Sequence, residues 1–174
     1  MAFDKIPTVA VSATPQNRPL LALASDNKQK AEDDEAVKID SYFASFGSPL
    51  AGYGKKFVAE AEKNDIPWNL LASIAMQEST AGLHGCDNNN DFGWGSCAIG
   101  FKSVDDAIET ISKNLGGNNP NTAHFYADKT VEQMLTAYNP PKFAKLYVKK
   151  VKAIMKAIDD YPLPDEVTVP TANS

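Results

Sequence analysis

Two absences narrow the reading of this chain before any motif is considered. It has no apolar run near the roughly 20 residues that a membrane-spanning helix needs. The longest early run, residues 20–24, is too short for the core of an export signal and lies too far from Met1. Export through a segment outside this sequence, or release by lysis or assembly into a particle, is therefore expected. The chain also lacks a basic excess. Its formal charge is −5, which argues against nucleic acid as a partner. The acidity resides at the ends: residues 1–37 carry four positive and six negative charges and residues 161–174 two negatives, while 38–160 hold thirteen lysines against fourteen acids. The overall charge therefore says little about a substrate.

Cysteine and histidine are scarce, with two of each. His84, Cys86 and Cys97 lack a fourth zinc ligand and the usual spacing. Asp87, Asn89 and Asp91 copy the start of a calcium loop, but Phe92 stands where Gly is required and Ala98 where Glu is required. No metal and no cofactor is expected. Cys86 and Cys97 bracket a polar loop with ten residues between them, a spacing that a disulfide can close, which would point to an oxidising compartment. Two free buried thiols are the alternative.

What is present reads as helix. Residues 39–46 form a short helix ended by Gly47; Pro49 precedes a second over 50–64, and Pro67 opens a third over 68–80. A polar, Gly-rich stretch over 82–100 suits a loop with at most a small β-hairpin. Ser103 caps the next helix, Gly116 and Gly117 stop it, and residues 131–138 form another before Pro140 and Pro141. A last helix over 142–158 buries Phe143, Tyr147, Val151, Ile154 and Ile158. Its lysines 142, 145, 149, 152 and 156 form a stripe on the opposite face, read either as solvated surface or as a patch attracted to anionic wall polymers. With no repeat and no alternating strand series, the fold class is mainly α. Residues 38–160 make the domain. Residues 1–37, aperiodic and charge-rich over 25–35, read as a flexible tail or linker, and 161–174, with three prolines, as a second tail.

Glu78 is the most informative side chain. Leu71, Ile74, Ala75 and Glu78 follow at i, i+3, i+4 and i+7, so a carboxylate continues an apolar stripe. Burial raises the pKa of such a group and keeps it protonated, as proton donation to a leaving oxygen requires. The plain alternative is a helix-end carboxylate that meets water. The loop beyond it supplies Asn90, Asp91, Phe92, Trp94 and Ser96, amides and aromatic faces of the kind that hold sugars; Asn, Asp and Gly also serve turns for backbone reasons alone.

The run from Ile74 to Gly82, with Gln77-Glu78-Ser79 at its centre, then Asp91-Phe92-Gly93-Trp94-Gly95, and later Ala137-Tyr138-Asn139 ahead of Tyr147 and Val151, resembles the lysozyme-like glucosaminidases and lytic transglycosylases over about residues 39–158. The resemblance implies a lysozyme-like helical domain that cleaves β-1,4-glycosidic bonds of bacterial peptidoglycan. Glu78 matches the catalytic acid, and Tyr138 matches a tyrosine beside the cleavage site. Gln77, Ser79, Asn90, Phe92, Trp94 and Asn139 become candidate substrate contacts. The transglycosylase Gly-Leu-Met-Gln segment is missing and Pro140 follows Asn139, which favours the glucosaminidase-like branch.

Two-carboxylate hydrolysis needs a partner about 5–5.5 Å from the acid in retaining enzymes, or about 6.5–9.5 Å in inverting ones. Asp91, beside the aromatic loop, is the preferred candidate over the turn residue Asp87, and Asp105 and Asp106 are explained by capping. A transglycosylase needs neither, because the substrate's own hydroxyl closes onto the anomeric carbon. Other readings are an inactive glycan-binding or structural domain, and a chitin or N-glycan hydrolase. The expected setting is extracellular, on a cell wall or a virion, with the protein a monomer bound to glycan strands and spanning no membrane.

Overall fold

The computed structural model describes residues 20–139 and 142–164. Among these it has seven α-helices and no strand: α1 (Leu20–Ser45), α2 (Gly54–Lys63), α3 (Leu70–Ser79), α4 (Val104–Leu115), α5 (Ala123–Tyr126), α6 (Val131–Tyr138) and α7 (Ala144–Asp159). The mainly α class is as expected. In place of a hairpin, the 82–100 loop makes an isolated antiparallel bridge between Cys86 and Asn90 and one 3-10 turn, Trp94–Cys97.

α3 is the central rod. Leu70, Leu71, Ala72, Ser73, Ile74 and Ala75 are all buried, and a helix that is apolar all round is stable only when neighbours wrap it. Those neighbours are α2, α4 and α7. Phe43 of α1 meets Phe57 of α2 edge-on at 5.8 Å, and Phe57 meets Phe92 of the loop at 6.2 Å. This aromatic chain ties the loop beyond α3 to the core, and Ile108, Ile111, Leu115, Leu135, Val151 and Ile158 complete the packing.

Local chemistry explains the helix ends. Ser103 accepts a hydrogen bond from the Asp106 amide at 3.2 Å, and Thr130 and Gln133 form a reciprocal capping box at the start of α6. α3 stops because Thr80 turns left-handed (φ 54°), and Ala81 and Gly82 follow with φ 51° and 90°. The Ser79 hydroxyl stabilises that turn. It donates to the Ala75 and Asp91 carbonyls at 3.1 and 2.6 Å and accepts from the Gly82 amide at 2.8 Å.

Two expectations are corrected. Residues 25–35 are helical, and α1 runs unbroken from Leu20. The apolar stripe begins only at Ala36, Ile39 and Phe43, so periodicity could not reveal the first half of the helix. That half is rich in good helix formers and carries Lys28–Glu32 and Lys30–Asp34 pairs at i,i+4, with Lys28–Glu62 and Lys55–Asp33 bridging to α2. Phe143 is 55% exposed. It occupies the N-cap of α7, one position before the helix winds the stripe inward, and Ala144 is buried instead. The structure adds α5, a single turn too short to show periodicity. The expected prolines 140 and 141, residues 1–19 and residues 165–174 lie outside the described residues.

Candidate functional site

The end of α3, the disulfide-bearing loop, α5 and α6 enclose a cleft of about 1020 Å³. Glu78, the penultimate residue of α3, opens into it. One side of the residue is exposed, but the carboxyl tip lies against the backbone of Gly93. A Cβ built on Gly93 would sit 2.5 Å from Glu78 Oε2 and 3.1 Å from Cδ, so a side chain there would displace the carboxyl tip, and Gly93 has φ +63°, a conformation that favours glycine. Loss of water around the tip pushes the Glu78 pKa up, and the Tyr147 phenol pulls it partly back.

Tyr138 and Tyr147 lie beside the acid, and Tyr126 lines the same cleft. Tyr138 stacks on Tyr147 with ring centroids 6.2 Å apart and 8° between planes, and Trp94 packs against Tyr138 at 5.4 Å and Tyr126 at 6.2 Å. The Tyr138 hydroxyl donates to the Phe92 carbonyl at 2.7 Å. It therefore fastens α6 to the aromatic loop and fixes the peptide next to Gly93. The Tyr147 hydroxyl is buried without a hydrogen-bond partner within 3.5 Å, although it is close enough to influence Glu78. Burial pushes Tyr126 up to about 12, and burial together with the charge of Glu78 raises Tyr138 and Tyr147. All three phenols are therefore neutral at ordinary pH.

The loop is stapled from within. Cys86 and Cys97 form a disulfide with Cα atoms 6.1 Å apart, which also removes them as zinc ligands. Asn90, fully buried, donates to the Trp94 and Ile99 carbonyls at 2.7 and 2.8 Å and accepts from the Trp94 amide at 3.0 Å. Asn88 and Asn89 donate to the Cys97 and Phe101 carbonyls at 3.0 and 2.8 Å. The asparagines that looked like sugar ligands thus spend their amide groups holding the loop's shape.

The candidates therefore separate. Glu78, Ser79, Asn90, Trp94, Tyr138 and Asn139 line the cleft, though Ser79 and Asn90 are engaged in internal hydrogen bonds. Gln77 is half-buried and lies off the cleft lining. Phe92 is fully buried in the core, because the aromatic chain through Phe57 and Phe43 captures it. Asp91 is buried and is not among the residues lining the cleft; a Cβ on Gly85 would meet its Oδ1 at 1.9 Å, and one on Gly82 its Cγ at 3.4 Å. Its carboxylate thus packs beneath the turn after α3, where burial raises its pKa, and among the described residues lining the cleft Glu78 is the only acid.

Sequence reasoning missed Thr122, Phe125 and Tyr126, which form the opposite wall, as well as Gly93 and Tyr147 as neighbours of the acid. Phe125 is 51% exposed at the cleft edge. The cluster of His124, Phe125 and Tyr126 was visible as composition, but nothing in the sequence said it faced Glu78. The chain matches no protein-family model, no curated protein and no solved structure, so the site is read from its own chemistry.

Proposed function

We propose that this domain cleaves β-1,4-linked glycan strands of bacterial peptidoglycan, with Glu78 as the sole acid–base group. The observation that carries this reading is a carboxyl group with a raised pKa, fixed against Gly93, at the side of an aromatic and polar cleft. Trp94 and Phe125 offer aromatic surface to the C–H faces of sugar rings, and Thr122, Thr136 and Asn139 offer hydroxyl and amide groups.

Protonated Glu78 donates to the bridging oxygen as the C1–O bond breaks. Glu78 is the only acid among the described residues lining the cleft, which supports assigning the second step to the substrate. A hydroxyl of the same sugar closes onto C1, and its proton returns to the Glu78 carboxylate. One bond breaks, one forms, and the acid is regenerated. This chemistry leaves an anhydro end and favours the transglycosylase branch over the two-carboxylate route.

Digestion of purified cell wall followed by mass spectrometry of the fragments tests both parts. The expected products are lighter by one water than hydrolytic ones, and Glu78→Gln is expected to lose about 10²–10⁴-fold in rate. Activity of Glu78→Gln within about tenfold of the unmodified protein refutes the role of Glu78. Products with free reducing ends refute the intramolecular step alone.

A further inference from the structure

The first half of α7 presents an arrangement that the cleft does not use. Phe143 and Leu146 are 55% and 57% exposed. Lys142, Lys145, Lys149 and Lys150 are exposed around them, and α7 carries no acid before Asp159. Only Lys156 of this helix is ion-paired, with Asp160 at 2.7 Å; the four lysines near Phe143 make no ion pair among the described residues. Lys142 rests its ammonium 5.5 Å from the Phe143 ring centroid. At 100° per residue, Lys145, Leu146, Lys149 and Lys150 share the solvent side of α7, and exposed Lys142 and Phe143 lead directly into it. Tyr147, Val148 and Val151 occupy the opposite, buried face.

We propose that this face of α7 is a docking surface for an anionic lipid bilayer, with Phe143 and Leu146 entering the headgroup layer and the four lysines meeting the lipid phosphates. Charge complementarity identifies an anionic occupant, because the chain as a whole is at −5 and yet concentrates unpaired cations here. The apolar pair selects lipid over a soluble polyanion. A polymer in water is held by charge alone, whereas a bilayer interface rewards the burial of a phenyl ring and an isobutyl group beside the lysines. Such docking is independent of the glycan reading and keeps the protein on a surface without spanning it.

Co-sedimentation of the full chain with vesicles of phosphatidylcholine, with and without phosphatidylglycerol, tests the proposal at low and at physiological salt. Binding is expected only to the phosphatidylglycerol vesicles, and weaker at the higher salt. At about fivefold per lysine, the triple variant Lys145→Gln/Lys149→Gln/Lys150→Gln is expected to lose about 100-fold in partitioning. Phe143→Ser/Leu146→Ser, which keeps every charge, is expected to lose about tenfold or more. Circular dichroism checks that each variant is folded, and the salt dependence of the unmodified protein stands apart from any variant. Absence of vesicle binding at low salt overturns the proposal. Undiminished binding by Phe143→Ser/Leu146→Ser overturns it as well, as does tight binding to polyphosphate without binding to vesicles; either result assigns the face to a soluble polyanion.

Discussion

Replacing Gly93 by alanine separates the placement of the acid from the stability of the fold. The added methyl would sit 2.5 Å from Glu78 Oε2, whereas ordinary contact is about 3.5 Å, so the carboxyl tip must retreat by about 1 Å. The obstacle is the far end of a flexible side chain that opens into the cleft, and it can rotate away at little cost. The remaining penalty is alanine at φ +63°, about 1–2 kcal/mol, or a few degrees in Tm for a chain of this size. Catalysis is more exacting, because a misplacement of about 1 Å can cost about 10²-fold. Gly93→Ala is therefore expected to remain folded, to bind glycan fragments nearly as before, and to lose about 10²-fold in the rate of cell-wall clearing. Thermal melts, fragment-binding titrations and turbidity assays on one preparation read the three quantities. A folded Gly93→Ala with activity within about threefold would refute the argument, since a 1 Å shift of the working carboxyl could not pass unnoticed. A loss of stability well beyond about 3 kcal/mol would show that the Glu78 tip is not free to move.

Three further outcomes are expected. The folded-state pKa of Glu78 is raised, so its contribution to stability is full at acid pH and is lost as pH rises through the folded value; Glu78→Gln should therefore gain stability over the unmodified protein at neutral pH relative to acid pH, in paired melts, and a gain confined to acid pH would contradict the burial of the tip. Tyr147 lowers the Glu78 pKa and has an unpartnered buried hydroxyl, so Tyr147→Phe should shift the alkaline limb of the rate–pH profile upward at little or no cost in stability; an unmoved limb would remove Tyr147 from the site. Reduction of Cys86–Cys97, which closes an 11-residue separation, should cost about 3 kcal/mol, and Glu78-dependent activity should fall with it because both cysteines line the cleft; a melt unchanged by reductant would show that the link does not constrain the loop.

The sequence by itself determined most of the helical scaffold, because each signal is local. Ser103 before Asp105 and Asp106, Thr130 three residues before Gln133, and the stripe through Ile108, Ile111 and Leu115 act within one or two turns. The disulfide was legible for the same reason, since ten intervening residues leave few ways to close the loop. The first half of α1 was not legible. Its tertiary contacts include ion pairs to α2, and Glu62 and Lys55 announce nothing in the sequence of α1 itself. In the site, the position of Glu78 near the end of the 68–80 helix could be read from the chain, and the resemblance pointed to Tyr138. The rest of its surroundings could not, because Gly93, Tyr126 and Tyr147 come from a loop and two other helices. Only the tertiary structure showed that Glu78 lines the cleft while Asp91 does not, and that the Asn90 amide bonds within its own loop. Acids and amides in a polar loop look alike in sequence, and their roles follow from which way the backbone turns. Here a left-handed Thr80 and Ala81 end α3 just past Glu78, and Phe92 and Asp91 are both buried behind the loop's lining residues.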